Sequence, residues 1–384
     1  MPQRPSIWIA NEAALKAAID ECLKEKTIAI DGEGDGMFSY KAKLCTLQIA
    51  TMNKIFLIDT LALWPKELFS LLLGPEGPKK IIHDVAFDAR LLKAQGVDLR
   101  NVFDTSIAAR FLGEPATGLA NLLASRCDVK LCKEQRLTDW GHRPLTKEQQ
   151  TYLAEDVRYL HRLAKSLEAD LLKKDIADEV QLECNYVLSQ ASNEEPLLSP
   201  WMRIKGVRRL PPIHQSVLRE VALYREKIAK SWDCPPSMVV HDKAIFSLAA
   251  KGVQRVSDLV KIRQFKKLKQ NKLLEGLKEA IDRGLENRRV PSQESSQLKG
   301  ATPPKGSISI RKQAKKKLSI WRKEEAEERK VDQQAILPGH CLSDIVKKLP
   351  HNVSELEQID GFGSKRLSRY GDTIVELIES VRHG

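Results

Sequence analysis

The apolar positions of this chain follow two different rhythms. Residues 27–60 hold three strand-like runs, TIAID, KLCTLQIAT and KIFLIDT, the third entered after a turn at Met52-Asn53. LALWPKELFSLLL then carries apolar residues at helical spacing up to Gly74. KKIIHDV reads as a fourth strand, AFDARLLKAQ as a helix stopped by Gly96, and NVFDTSIAARFLG as a short strand leading into a helix. Helical patterns dominate from about 118 to 170. Three strands in succession, followed by strands alternating with helices, predict a mixed sheet flanked by helices. Past residue 170 the strand signals fade. Residues 212–288 contain amphipathic helical stretches such as VLREVALYREKIAKSW and LEGLKEAIDRG. Residues 289–308, rich in Pro, Ser and Gly, read as a flexible linker, and a last helical block follows over 309–384.

Charge sharpens that division. The chain has 63 Lys and Arg against 51 Asp and Glu; residues 1–170 carry 23 of each, so residues 171–384 carry 40 and 28. The whole excess of +12 therefore lies in the helical half. A charge-balanced front with a basic appendage suits an enzyme that grips a polyanion with one part and cuts it with another. With 384 residues, two or three domains are expected. No apolar run approaches the ~20 residues of a membrane span, and the start lacks the pattern of a secretory signal. The seven cysteines are scattered without C-x-x-C spacing, which predicts neither a disulfide framework nor a zinc site and points to a reducing cytoplasm. No heptad or interface stripe stands out, so a monomer is the simplest state.

The candidate chemistry sits on four carboxylates and a phenol. Asp31 and Glu33 are two apart in IAIDGEGDG and share a face if the strand continues; the surrounding glycines let the backbone bend and a bulky substrate approach. Asp88 opens a helix just after the fourth strand. Tyr152 and Asp156 are four apart on a helix and share its face. Carboxylates so arranged can converge on hard divalent cations, which in-line cleavage of a phosphodiester needs. Taken singly, each has a bland alternative. An Asp past a strand is commonly a turn or cap residue, and a Tyr on an amphipathic helix is commonly packing. Asp84, Asp104 and Glu155 read as caps, supporting contacts or surface, and His83 as a satisfied buried histidine.

The joint pattern resembles the DEDD superfamily of exonucleases, in its tyrosine-containing DEDDy branch, over roughly residues 7–170. Asp31-x-Glu33 matches the first motif, HDVAFD (83–88) the second, and Tyr152-x-x-x-Asp156 the third, with KLCTLQIA, VFDTSIAARFL and RPLTKEQQTYLAEDVRYL as flanking words. Gly32 stands where many relatives have Thr, a departure expected to leave the ligands untouched. The resemblance implies an α/β ribonuclease H-like exonuclease domain over 1–170. It implies that Asp31 bridges two Mg²⁺ or Mn²⁺ ions, that Glu33 and Asp156 complete one site, that Asp88 serves the other, and that Tyr152 orients the attacking water. Hydrolysis would run from the 3′ end and release 5′-mononucleotides.

The last block resembles an HRDC domain, the helical module shared by the ribonuclease D family and RecQ-type helicases. LSIWRKEEAEERKVDQQAILPGHCLSDIVKKLP and SELEQIDGFGSKRLSRYGDTIVELI carry the likeness. Residues 212–288 look like a more divergent copy, best matched at REKIAKSWDCPPSMVVHDKAIFSLA, with 171–211 as a helical or extended connection. The whole is thus expected to be one exonuclease domain plus two small all-α HRDC-like domains, as in the ribonuclease D family. That family trims 3′ ends of structured RNA, notably tRNA precursors. Lys365, Arg366 and Arg369, after Gly361 and Gly363, are candidates for holding phosphate, and so are Lys266 and Lys267 in the basic helical run. A DNA exonuclease of the same superfamily and a non-catalytic RNA-binding protein are the alternatives. The absence of a G-x-x-x-x-G-K-[ST] phosphate loop favours RNA over a helicase-linked DNA enzyme, and the five intact catalytic positions disfavour a binding protein.

Overall fold

Six strands form one mixed sheet in the front part of the chain. The computed structural model describes residues 4–131, 138–192, 199–250, 271–299 and 307–382. The strands are β1 (Ser6–Ile9), β2 (Thr27–Gly34), β3 (Leu44–Ala50), β4 (Ile55–Asp59), β5 (Lys79–Ile82) and β6 (Val102–Asp104), in spatial order β1-β4-β3-β2-β5-β6. β2 pairs antiparallel with β3 and parallel with β5, and so lies inside the sheet rather than at an edge. β3 and β4 are buried along their whole length, in keeping with their near-continuous apolar runs. β1 pairs parallel with β4 and carries only four residues; the pattern beginning at residue 27 does not reveal it.

Helices α1 (Glu12–Cys22), α2 (Lys66–Leu73), α3 (Ala86–Ala94), α4 (Thr105–Leu112), α5 (Leu119–Cys127), α6 (Lys147–Arg158), α7 (Leu160–Lys173) and α8 (Ala177–Ser192) accompany the sheet. Their apolar faces close a core that includes Phe103, Phe111, Leu122, Trp140, Leu153, Leu163 and Leu167. α8 runs for 16 residues within the stretch 171–211, expected as a helical or extended connection. The cysteines Cys22, Cys45, Cys127, Cys184, Cys234 and Cys341 are free thiols. Among the described residues no helix is long and apolar enough to cross a membrane.

The helical block over 307–382 packs with the sheet domain as one compact unit. Its helix Ser364–Arg382 faces α8, and opposite charges join them. Arg369 reaches Glu179 at 2.9 Å and Asp175 at 2.8 Å, and Lys365 pairs with Asp175 and with Asp178, the latter at 3.1 Å. Arg366 is fully buried and donates to the carbonyls of Ala335, Gly361 and Phe362 at 3.2, 2.9 and 3.2 Å. This corrects the phosphate-holding expectation for these three residues. Lys365 and Arg369 are occupied by α8 carboxylates, and Arg366 is inside. His340 adds a 3.0 Å contact to Glu183 and stacks on Tyr186 with ring centroids 3.5 Å apart.

A second compact unit comprises residues 35–43 and 194–303. Its centre is the helix Pro212–Trp232 packed along Asn271–Asn287, over a core of Trp201, Leu218, Val221, Leu277 and Ala280. The two helices come close because residue 284 is Gly: a Cβ there would lie 2.5 Å from the Cα of Val217. The stretch expected as a flexible linker contains the helix Ser292–Lys299. Its Glu294 accepts from Arg219 at 2.7 Å and from the Trp201 indole at 2.5 Å, so this part is tied to the unit. Lys266 and Lys267 lie outside the described residues.

Glu179 is fully buried, with Arg369 as its charged partner. Arg369→Ala should therefore cost on the order of 3 kcal/mol in denaturant unfolding, because a buried carboxylate loses its counter-charge. Replacing both residues by Leu should recover most of that loss. Wild-type stability in the single variant would show that the pair contributes nothing.

Candidate active site

The acidic residues are gathered by the middle of the sheet. Asp31 and Glu33 lie on β2, opposite Gln48 and Thr46 of β3, and the two-residue spacing turns both to one face. A register irregularity at Glu33/Gly34 ends the regular pairing there. α6 packs over β2, β3 and β4 and brings Asp156 to the same face. One carboxylate oxygen each from Asp31, Glu33 and Asp156 lies within 4.8 Å of the others. These three line a cavity of about 430 Å³ together with Tyr152, His83, Asp84, Leu131 and residues 118–121 at the start of α5.

α6 is held by local and distant contacts. Thr146 caps it by accepting from the Gln149 N–H at 3.2 Å, while the Gln149 side chain accepts from the Thr146 N–H at 2.7 Å. Just upstream, Arg143 grips Asp59 at the end of β4 with two 2.8 Å bonds and reaches the Cys45 carbonyl of β3 at 2.7 Å. Burial alone would push the Asp59 carboxyl up; the Arg143 fork outweighs it and holds the group below its ordinary value. Tyr152 stacks on buried Trp140, ring centroids 5.8 Å apart, and its phenol hydrogen-bonds Asp156 one turn along the helix.

Asp88 stands slightly apart. It lies in the first turn of α3, is 6% exposed, and its Oδ1 has no hydrogen-bond partner. That oxygen rests against Gly32, where a Cβ would come within 2.8 Å of it and within 2.9 Å of Leu44 Cδ1. The departure at Gly32 therefore does touch a candidate ligand, contrary to expectation. The absent side chain is what leaves room for this placement of Asp88.

Burial and mutual repulsion shape the protonation of the cluster. Burial first, then the charges of Asp88, Asp156 and Glu33, hold the Asp31 carboxyl well above its ordinary value. Burial pushes Asp88 up to about 8, with Asp104 and Asp84 adding to it, and pushes Asp156 up to about 7 against the hydrogen bond from Tyr152. An orphaned buried carboxylate oxygen beside three converging carboxylates fits a hard divalent cation, which takes oxygen ligands and supplies the missing positive charge.

The structure thus brings Asp31, Glu33, Tyr152 and Asp156 to one cavity, with Asp88 beside it. The supporting residues were not read from the sequence. Arg143 and Asp59 have no local signature, because they meet across 84 positions of chain, and Trp140 has none because it is seen as a support only once it stacks on Tyr152. Asp104, expected as a cap, is one: it accepts from the N–H groups of Ser106 at 2.7 Å and Ile107 at 3.2 Å. It also holds Asp84 at 3.1 Å and Val85 at 2.9 Å, the turn that leads into α3 and Asp88.

Comparison with known proteins agrees with this geometry. Residues 6–172 match the family described as 3′–5′ exonuclease, and residues 214–281 and 312–378 each match the HRDC domain. Ribonuclease D of Desulfotalea psychrophila is 29% identical over 304 residues, covering 76% of this chain and 81% of that one. Ribonuclease D of Zymomonas mobilis is 32% identical over 259 residues, 66% of each chain. The crystal structure of Escherichia coli RNase D superposes with a TM-score of 0.70 at 20% identity, over 98% of this chain and 99% of that one. Fold and site define a DEDD-type 3′–5′ exonuclease with appended HRDC domains. Such exonucleases depend on divalent metal, which the acidic cluster suits. The chain belongs to the ribonuclease D family and is a 3′–5′ exoribonuclease.

A carboxyl whose pKa is raised by folding binds its proton more tightly in the folded chain. The stability it contributes is full below the ordinary carboxylate range and is lost as pH rises through the folded value, here about 7 for Asp156 and about 8 for Asp88. In EDTA, the melting temperature should therefore fall as pH rises from about 5 to about 8, and the gain on adding Mg²⁺ or Mn²⁺ should grow over the same window. Thermal melts with and without metal measure both. A flat profile with no metal-dependent gain would contradict the cluster's role.

Proposed function

We propose that Asp31, Glu33, Asp88 and Asp156 hold two divalent cations, Mg²⁺ or Mn²⁺, and that the enzyme uses them to shorten structured RNAs such as tRNA precursors from the 3′ end. The observation that carries this reading is the convergence of Asp31, Glu33 and Asp156 oxygens within 4.8 Å in a cavity shared with Tyr152. Asp31, whose carboxyl feels the charges of Asp88, Asp156 and Glu33, would hold the cations together with those three residues.

Cations bound there would lower the pKa of water in the site and stabilise the leaving 3′-oxygen. The rest is done by the chain itself. The Tyr152 phenol, steadied by Trp140 and bonded to Asp156, presents a polar group at the cavity wall that orients the attacking water. Breaking the bond between phosphorus and the leaving 3′-oxygen keeps the phosphate on the departing nucleotide, so products leave as 5′-mononucleotides. The Escherichia coli relative is described as an exoribonuclease involved in structured RNA processing, which supports the same substrate class here.

Asp31→Ala should lower hydrolysis by a factor on the order of 10³ or more while leaving the fold intact. The assay uses 5′-labelled RNA and matched DNA with Mg²⁺, Mn²⁺ or EDTA, beside a tRNA bearing an extended 3′ tail. The expected result is a ladder of 3′-shortened RNA that disappears with EDTA and in the variant. Substantial metal-dependent activity in Asp31→Ala would sink the ligand assignment.

A further inference from the structure

His83 lines the same cavity as the carboxylates, and its protonation pattern is set by its neighbours. Its Nδ1 lies 2.9 Å from the Thr105 hydroxyl oxygen, and that hydroxyl lies 3.0 Å from the Ile82 carbonyl. Thr105 is fully buried and has one hydroxyl hydrogen. A carbonyl only accepts, so the hydroxyl hydrogen goes to Ile82, and the hydroxyl oxygen must accept from Nδ1–H. The imidazole is thereby fixed in one tautomer, with a bare lone pair on Nε2. Nε2 has no partner among the described residues and is not sealed in the interior, and the residue lines the cavity. Burial pushes the imidazole below its ordinary value, against the pull of Asp104 and Asp84, which keeps it neutral.

The ring is also held still. It sits at the junction of β5 and α3, and the next residue, Asp84, has a φ of +66°. The N–H groups of Asp84 and Val85 are both fastened to the Asp104 carboxylate. His83 is therefore a preorganised acceptor on a wall otherwise rich in carboxylates.

We propose that Nε2 of His83 accepts a hydrogen bond from a hydroxyl of the 3′-terminal ribose, making it a specificity-determining residue. This rests on the reading of the cavity as the site of 3′-terminal cleavage. A phosphate has no hydrogen to give at neutral pH. Base donors differ among the nucleotides, whereas ribose hydroxyls are common to every RNA end. With the scissile phosphate at the carboxylates, the terminal ribose is one of the two sugars joined directly to it, and the one that carries a free 3′-hydroxyl beside its 2′-hydroxyl. A site that hydrogen-bonds a substrate hydroxyl discriminates against the analogue lacking it.

The test measures kcat/KM on RNA oligonucleotides that end in a ribo, 2′-deoxy or 3′-deoxy residue, with adenine or uracil as the last base. Binding of adenosine 5′-monophosphate and its two deoxy forms to the metal-loaded full-length protein is measured alongside. The wild type should prefer the hydroxyl-bearing form by about tenfold. His83→Phe should flatten that preference by slowing only the substrate that carries the hydroxyl, and His83→Gln, whose amide oxygen can accept, should restore part of it. The deoxy position that ceases to matter identifies the hydroxyl. An unchanged sugar preference in His83→Phe, an equal loss on all three ends, or a loss that follows the base would overturn the proposal. Absence of both cleavage and nucleotide binding in the wild type would instead overturn the reading of the cavity itself.

Discussion

Carboxylates crowded around one cavity repel each other, and that repulsion is the constraint on which the rest of the sheet domain depends. Asp31, Glu33, Asp88 and Asp156 come from a strand and two helices spread along more than a hundred residues of chain. Each would relax into solvent if its carrier could move. β2 cannot, because it is paired on both sides. α6 is capped by Thr146 and Gln149 and is preceded by the Arg143–Asp59 fork. α3 begins at a turn whose N–H groups are tied to Asp104. A divalent cation bound there would relieve that repulsion, so the rigidity that keeps the carboxylates together would favour metal.

The cations of the C-terminal block follow a related logic at a different place. α8 presents Asp178, Glu179 and Glu183 on the sheet domain, with Asp175 just before them, and the block answers with Lys365, Arg369 and His340. A net positive charge in the second half of the chain therefore does not translate residue by residue into a surface for RNA. Part of it is consumed in holding the molecule together. The phosphate-contacting face must be sought among basic residues that no carboxylate already occupies.

Much of the site was legible because the signals that carry it are local. A two-residue period puts Asp31 and Glu33 on one face of a strand, and a four-residue period puts Tyr152 and Asp156 on one face of a helix. These periods come from backbone geometry, so they survive whatever the rest of the chain does. The strands over 27–60, the helix ending at Gly74 and the strand before Asp88 were readable for the same reason. β1 was not: four residues are too few to show a period, and their strand character comes from pairing with β4.

By itself, then, the sequence determined which side chains could act together within each element, and hence the class of chemistry. Only the tertiary structure decided how elements met and which groups were left free to act. Asp88 leans into the space left by Gly32. Arg366 is spent on interior carbonyls. His83 is held in one tautomer by a buried Thr105. Hydrogen bonds and ion pairs are short-ranged contacts, made with whatever lies nearest in space. For these residues a deciding neighbour belongs to another element: Thr105 is 22 positions from His83, and Ala335 is 31 from Arg366.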